Sequence, residues 1–248
     1  LIGHNYRATV KNSFSTGTVI GSKKVGGLVG VSYSNGTEHP LIENSYSRSN
    51  VTGSTYQSIG GLLGEHGWKG GTVTNSYSTG TITSGSTGDY DAVGGFSGTN
   101  SSTANTTINN SFWDTETSGK STGIGSGTTT GATGKTTSEM KTLSTYTSAG
   151  WDFTGETTNG NDNYWVIDGV NNGGYPYLSW QDFSAPTMTI TATDGSSAVS
   201  DGATTNDATL TVTFTSSEAT TNFVVGDITV SGGALSSFSA TSSTVYTA

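Results

Sequence analysis

Val25-Gly26-Gly27-Leu28-Val29-Gly30 returns twice along the chain, as Ile59-Gly60-Gly61-Leu62-Leu63-Gly64 and as Val93-Gly94-Gly95-Phe96-Ser97-Gly98. Each copy starts 34 residues after the one before, and Leu1-Ile2-Gly3 reads as the tail of an earlier copy. A fixed period of this length is the signature of a solenoid, in which stacked neighbours supply the core that one repeat cannot bury alone.

A second phrase follows each glycine phrase. Val10-Lys11-Asn12-Ser13-Phe14-Ser15-Thr16-Gly17-Thr18-Val19 recurs from Ile42 to Val51 and from Val73 to Ile82, and shortened as Ile108-Asn109-Asn110-Ser111-Phe112-Trp113. Each is an alternating strand whose parity breaks once, which calls for a corner. The repeat then holds three short strands and three corners. That describes an all-β fold, a parallel β-helix with coils about 4.8 Å apart. Stacking places Phe14, Tyr46, Tyr77 and Phe112 in an aromatic ladder, and Asn12, Asn44, Asn75 and Asn110 in a ladder that side-chain amides can join. The paired glycines serve either a left-handed turn or a close approach of backbone. Lys11 and Glu43 fall at equivalent outward positions, a cross-strand pair.

With both phrases in view, the chain resembles the GLUG repeat of bacterial surface proteins over about residues 1–180. The last copy departs from the pattern, with Phe96-Ser97 where the others have Leu-Val or Leu-Leu. The resemblance implies a large secreted or cell-wall protein, either adhesin-like or the non-catalytic region of an immunoglobulin-cleaving protease. We divide the chain into a GLUG-repeat solenoid (1–118), a cap and junction (119–183) and a further module (184–248). In the cap, 114–134 reads as loop, and Thr136 with Glu139 has capping-box spacing. Met140, Leu143 and Tyr146 follow on one face of a short helix, expected to lie over the open end of the solenoid. From Ser184 the texture changes to alternating strands that resemble a bacterial immunoglobulin-like β-sandwich. Such a sandwich runs to roughly 100 residues. The module is therefore expected to be incomplete, with Thr244–Ala248 a strand cut short and the chain a segment of a longer polypeptide.

Nine Lys and Arg against eighteen Asp and Glu give a net charge of −9, so a phosphate backbone is repelled and nucleic-acid binding is excluded. No apolar run reaches the roughly 18 residues of a membrane span, so this segment is expected not to insert. The chain has no cysteine, which removes disulfides and thiolate sites from consideration. Acidic, Cys-free composition rich in Ser, Thr, Asn and Gly points to a secreted, cell-surface location.

Candidate chemistry is sparse. His4, His39 and His66 lack metal-site spacing, and His39 and His66 are expected in outward loops. Asp114 and Glu116 are a close carboxylate pair beside aromatics, as a glycosidase would need, but two residues apart on a loop is weak geometry. Calcium is the one cofactor to consider: Asp194, Asp201, Asp207 and Asp227 fall in turns of the last module, and Asp152, Asp162 and Asp168 in the cap, without an Asp-x-Asp-x-Asp-Gly loop. Thr16/Thr18 and Thr79/Thr81 suggest an ice-binding array, which Arg48 and Asn50 interrupt. Tyr33, Tyr56, Trp68 and Tyr90 in the variable stretches are candidates to stack on sugars or pack on a protein. The reading is a non-enzymatic extracellular structural or adhesive segment of a bacterial surface protein. Its partner is a host or neighbouring-cell glycan or protein. One alternative is a subunit of a self-assembling filament that pairs with further copies of itself. The other is the accessory region of a secreted protease or polysaccharide-degrading enzyme.

Overall fold

A computed structural model describes residues 1–54, 58–67, 69–85, 92–101 and 106–248. The chain divides into two compact units, Leu1–Asp182 and Phe183–Ala248.

In the first unit each full repeat contributes one strand to each of five parallel sheets. The repeat that opens at Val25 supplies Val25–Gly26, Val29–Tyr33, Leu41–Glu43, Tyr46–Ser47 and Asn50–Gly53. Each pairs in parallel with its counterpart one repeat on, so Val25 faces Ile59, Ile42 faces Val73, Tyr46 faces Tyr77 and Val51 faces Ile82. Five strands replace the three expected, because both phrases are cut at their midpoints. The first breaks at Gly27-Leu28 and the second at Asn44-Ser45. Asn12, Asn44, Asn75 and Asn110 all sit in the left-handed region, at φ 46–47°. Asparagine tolerates that conformation far better than most residues, and it turns the chain out of the strand.

The same register gathers like side chains into columns. Val10, Ile42, Val73 and Ile108 form one core with Leu28, Leu62 and Phe96, while Val25, Val51, Ile59 and Ile82 form another. The paired glycines do not take positive φ. They are there because nothing larger fits: a Cβ on Gly61 would lie 2.3 Å from the Gly95 carbonyl oxygen and 2.9 Å from the Ser78 Cβ. On Gly27 it would lie 2.0 Å from the Ser47 hydroxyl.

The stretch expected as loop after Asp114 continues the stack. Ile124–Gly127 pairs with Ser97–Asn100, and Ala132–Lys135 pairs with Ser111–Asp114. Three short helices accompany them: α1 (Thr115–Ser118), α2 (Thr137–Met140) and α3 (Leu143–Thr147). The Thr136/Glu139 capping box is formed at α2. The helices do not lie over the open end. They pack on the flank, where the aromatic column offers an apolar surface: Met140 and Tyr146 are buried with Tyr77 and Phe112, and Leu143 stays exposed.

From there the chain travels back along that column. Tyr146 and Trp151 meet Phe112 at 5.4 and 5.8 Å. Trp165 and Tyr175 meet Tyr77 at 6.0 and 6.4 Å. The Tyr46 hydroxyl donates to Gln181 at 2.9 Å, and Trp180 reaches Phe14 at 5.8 Å. Residues 140–181 thus form a strap from the last repeat to the first.

The second unit is one antiparallel sheet in the order Ala198–Val199, Met188–Thr193, Thr211–Ser216, Val245–Thr247, Ser239–Ala240. A second sheet facing it is absent from this unit. Phe223–Val225 and Ile228–Val230, each expected as a short strand, instead flank a 3-10 turn at Val225–Asp227, where the Asp227 carboxylate accepts from the Val224 N–H. Val245–Thr247 is internal to the sheet, paired on both sides, and Tyr246 is buried beside Phe214, Phe223 and Phe238.

Close packing at the glycine pair has a measurable consequence. Gly61→Ala is expected to cost about 3 kcal/mol in urea unfolding, the upper end for overpacking, and Gly61→Val to leave the array unfolded. Gly150, at φ 86° with open space around it, serves as control, and Gly150→Ala is expected to cost about 1 kcal/mol. Equal losses at the two sites would refute the steric account.

Candidate functional site

The corner that follows each asparagine is held by serine, not by the amide ladder expected of Asn12, Asn44, Asn75 and Asn110. The Ser45 hydroxyl accepts from the Ser13 N–H at 3.2 Å, Ser76 from Ser45 at 3.3 Å and Ser111 from Ser76 at 3.4 Å. Each hydroxyl donates in turn to the carbonyl two residues before it, at 2.7–2.8 Å. These bonds satisfy backbone groups that the turn takes out of the sheet. No amide-to-amide bond joins the four asparagines; the Asn12 side-chain oxygen is buried without a partner. Left-handed φ, a requirement of the backbone, explains asparagine there.

Phe14, Tyr46, Tyr77 and Phe112 stand in register, with rings parallel at 5.3 Å (Phe14 on Tyr46) and 4.9 Å (Tyr46 on Tyr77). The strap covers them. Burial raises the Tyr46 and Tyr77 hydroxyls above the usual tyrosine range. Tyr77 donates to the Pro176 carbonyl at 2.6 Å, and Arg48 lies 4.9 Å over the Tyr175 ring while donating to the Asn172 side chain at 2.7 Å.

Asp114, half of the carboxylate pair considered for catalysis, is fully buried. One of its oxygens accepts from the Glu116 and Thr117 N–H groups at 2.9 and 3.0 Å, capping α1. The other accepts from Thr137 at 2.8 Å and from Tyr175 at 2.7 Å, whose hydroxyl is pushed up to about 12 by burial and by this carboxylate. Glu116 accepts from the Thr137 N–H. The pair ties the strand Ser111–Asp114, α1, α2 and the strap together; both Asp114 oxygens are taken by the protein itself, and Glu116 is exposed.

The calcium candidates stay apart. Asp194 accepts from the Ser196 and Ser197 N–H groups, Asp207 bonds Thr205, Asp227 closes its own turn, and Asp201 is exposed. In the strap Asp152 accepts from the Asp162 N–H, and Asp168 accepts from Val170, Asn171 and Tyr177. Among the described residues no three metal-ligating side chains converge.

Of the histidines, His39 is exposed in a loop and His4 stands on the outer face of Ile2–Tyr6. His66 is a correction. It ends the strand Leu63–His66 with its ring buried, in register with Ser32 and Asn100 in neighbouring repeats. Asn5, Ser32, His66 and Asn100 make a polar column inside the unit, where several side-chain atoms lack partners. The sequence carried the signal, since Asn100 and Ser32 stand 34 residues either side of His66. Tyr33 lies on Val29–Tyr33, against His4 and Tyr6. Tyr56, Trp68 and Tyr90 lie outside the described residues.

Burial lowers the His66 imidazole to about 4, against about 6.5 for a free histidine. The unfolded chain therefore binds a proton between those values that the folded chain refuses. Stability is flat above pH 6.5, falls as pH drops toward 4, and levels below that for this group. Between pH 7 and 5 the chain is expected to lose about 2 kcal/mol more than the variant His66→Asn, which copies the equivalent Asn100. Parallel pH profiles in denaturant unfolding would exclude a buried neutral ring.

Two family descriptions match the chain: the GLUG motif over residues 55–83 and a bacterial Ig-like domain over 182–248. A protein of Evansella cellulosilytica, named as a Gly-rich membrane protein, is 35% identical over 155 residues, covering 60% of this chain and 12% of the relative's length. No solved structure gives a significant match. No helix among the described residues is long and apolar enough to cross a membrane. The chain thus carries, in order, a GLUG motif and a bacterial Ig-like domain, the makeup of a bacterial surface-type protein.

Proposed function

We propose that the chain is a non-enzymatic extracellular segment of a bacterial surface protein, and that its GLUG repeats close into a parallel β-helix that displays an adhesive surface. The observation that carries this reading is the parallel, in-register pairing of successive repeats, which sets their outward side chains in rows along each sheet. The strap covers the aromatic flank as far as the first repeat, where Trp180 lines a depression with Leu1, Ile2, Phe14 and Leu28. The outer face of Ile2–Tyr6, where His4 and Tyr6 are exposed, is left available for contact.

The Cys-free acidic composition and the two matched domains support an extracellular setting. The engagement of Asp114 by Thr137 and Tyr175, and of Glu116 by Thr137, supports a structural role for this carboxylate pair. For a display unit, antibody raised against the chain is expected to label intact, unpermeabilised cells of the bacterium that makes it. Purified chain added in excess is expected to reduce attachment of those cells to their surface several-fold. Unlabelled cells, or attachment unchanged at saturating chain, would overturn the proposal.

A further inference from the structure

We infer that the outer face of the sheet containing Ile2–Tyr6, Val29–Tyr33 and Leu63–His66 holds a binding cleft for one ring of a neutral sugar. Tyr33 is its wall, and Lys24, Val31, Glu65 and Gly67 complete it. The inference gives the display reading above a ligand class. The cleft has a volume of about 260 Å³, close to the small end of the ~300–1,000 Å³ range of small-molecule sites, which suits a single ring.

Alternation creates the face. Ser32 and His66 are buried, and their neighbours Val31, Tyr33 and Glu65 lie on the other side, with Val31 beside Glu65 in the register. The wall is held before any ligand arrives. His4 stacks on Tyr33 at 4.6 Å and 30°, and Tyr6 packs on it at 5.0 Å. Tyr6 is covered by the Arg7 guanidinium at 4.9 Å, which pairs with Glu38 at 3.1 Å. A ring fixed this way loses little freedom on binding. On the next repeat the position beside Tyr33 is Gly67, at φ 127°, where a Cβ would strike Ser101 at 2.2 Å. Packing against Ser101 thus requires glycine here, and Gly67 adds no side chain of its own to the cleft.

The polar groups select the ligand. Lys24, held in the left-handed region at φ 51°, puts its ammonium 3.0 and 3.2 Å from the two oxygens of Glu65. An ammonium has three donors and a carboxylate about four acceptor positions, so the pair can still serve a ligand. The ion pair has no net charge, so it gives neither a free anion nor a free cation a net attraction. A purely apolar molecule would desolvate the pair without replacing its water. A pyranose satisfies all three conditions. Its C–H face packs on the negative face of the tyrosine ring, and its hydroxyls both donate to Glu65 and accept from Lys24.

The test is an NMR titration of the full chain with methyl β-glucopyranoside, methyl β-galactopyranoside and methyl α-mannopyranoside. At least one is expected to give saturable shifts at Tyr33, Glu65 and Gly67 at millimolar concentration. Tyr33→Ala and Glu65→Gln are each expected to weaken binding by roughly tenfold or more without lowering the melting temperature, and Tyr33→Phe to retain it. No saturable shift with any glycoside, or shifts unchanged in Tyr33→Ala, would overturn the site. So would displacement of the response by inorganic phosphate. The outcome separates from the display reading. If the Tyr33→Ala chain blocks cell attachment as well as the parent, the site falls and display stands. Glycoside binding without any effect on attachment removes display and keeps the site.

Discussion

Parallel, in-register stacking imposes one rule on the repeats: whatever a residue does, its counterparts must be able to do one strand spacing above and below. A spacing of about 4.8 Å favours neighbours of similar shape at the buried positions, with exceptions where Ser78 faces Trp113 and Leu63 faces Ser97. Aromatics sit on aromatics, aliphatics on aliphatics, and the paired glycines recur because the Gly95 carbonyl lies where a Cβ on Gly61 would go. Residues at such positions are chosen by their neighbours in the stack more than by their place in the chain.

The rule applies to the backbone as well as to side chains. A corner takes an N–H out of the sheet in every repeat, and its loss would be multiplied by the number of repeats. The Asn-Ser pair solves both halves of the problem. Asparagine accepts the left-handed turn, and serine returns the lost bond by spanning to the next repeat. The two residues adjoin in sequence yet have separate tasks.

Periodicity made the register between repeats and the aromatic column legible, because both follow from spacing alone. The number of strands did not follow, since the corner at the asparagine of the second phrase depends on one residue's φ, and alternation can be read through it as a single bent strand. Asparagine was visible as a repeated side chain, which suggested amide bonding. Its backbone conformation left no separate trace. His66 was misplaced for a related reason. Beside Gly67 it looks like loop, but its counterparts Ser32 and Asn100 put it on the buried side. The Tyr33 cleft was hidden because it joins residues from successive repeats: Lys24, Glu65 and Gly67 carry no common motif.

The strap was legible in pieces and not in its path. Trp151, Trp165, Tyr175 and Trp180 announced an aromatic-rich closing segment, and an exposed terminal coil is where such a segment would ordinarily be needed. What decided its position was the largest apolar surface available. Phe14, Tyr46, Tyr77 and Phe112 present four aromatic rings along one flank, and the strap's aromatics pack against that column in reverse order, last repeat to first. The column of stacked rings therefore does more than stabilise the repeats. It also sets the path of the strap, which runs from the last repeat back to the first. That leaves the outer face around Tyr33 free, since the strap occupies the opposite requirement of the fold, the flank that must be covered.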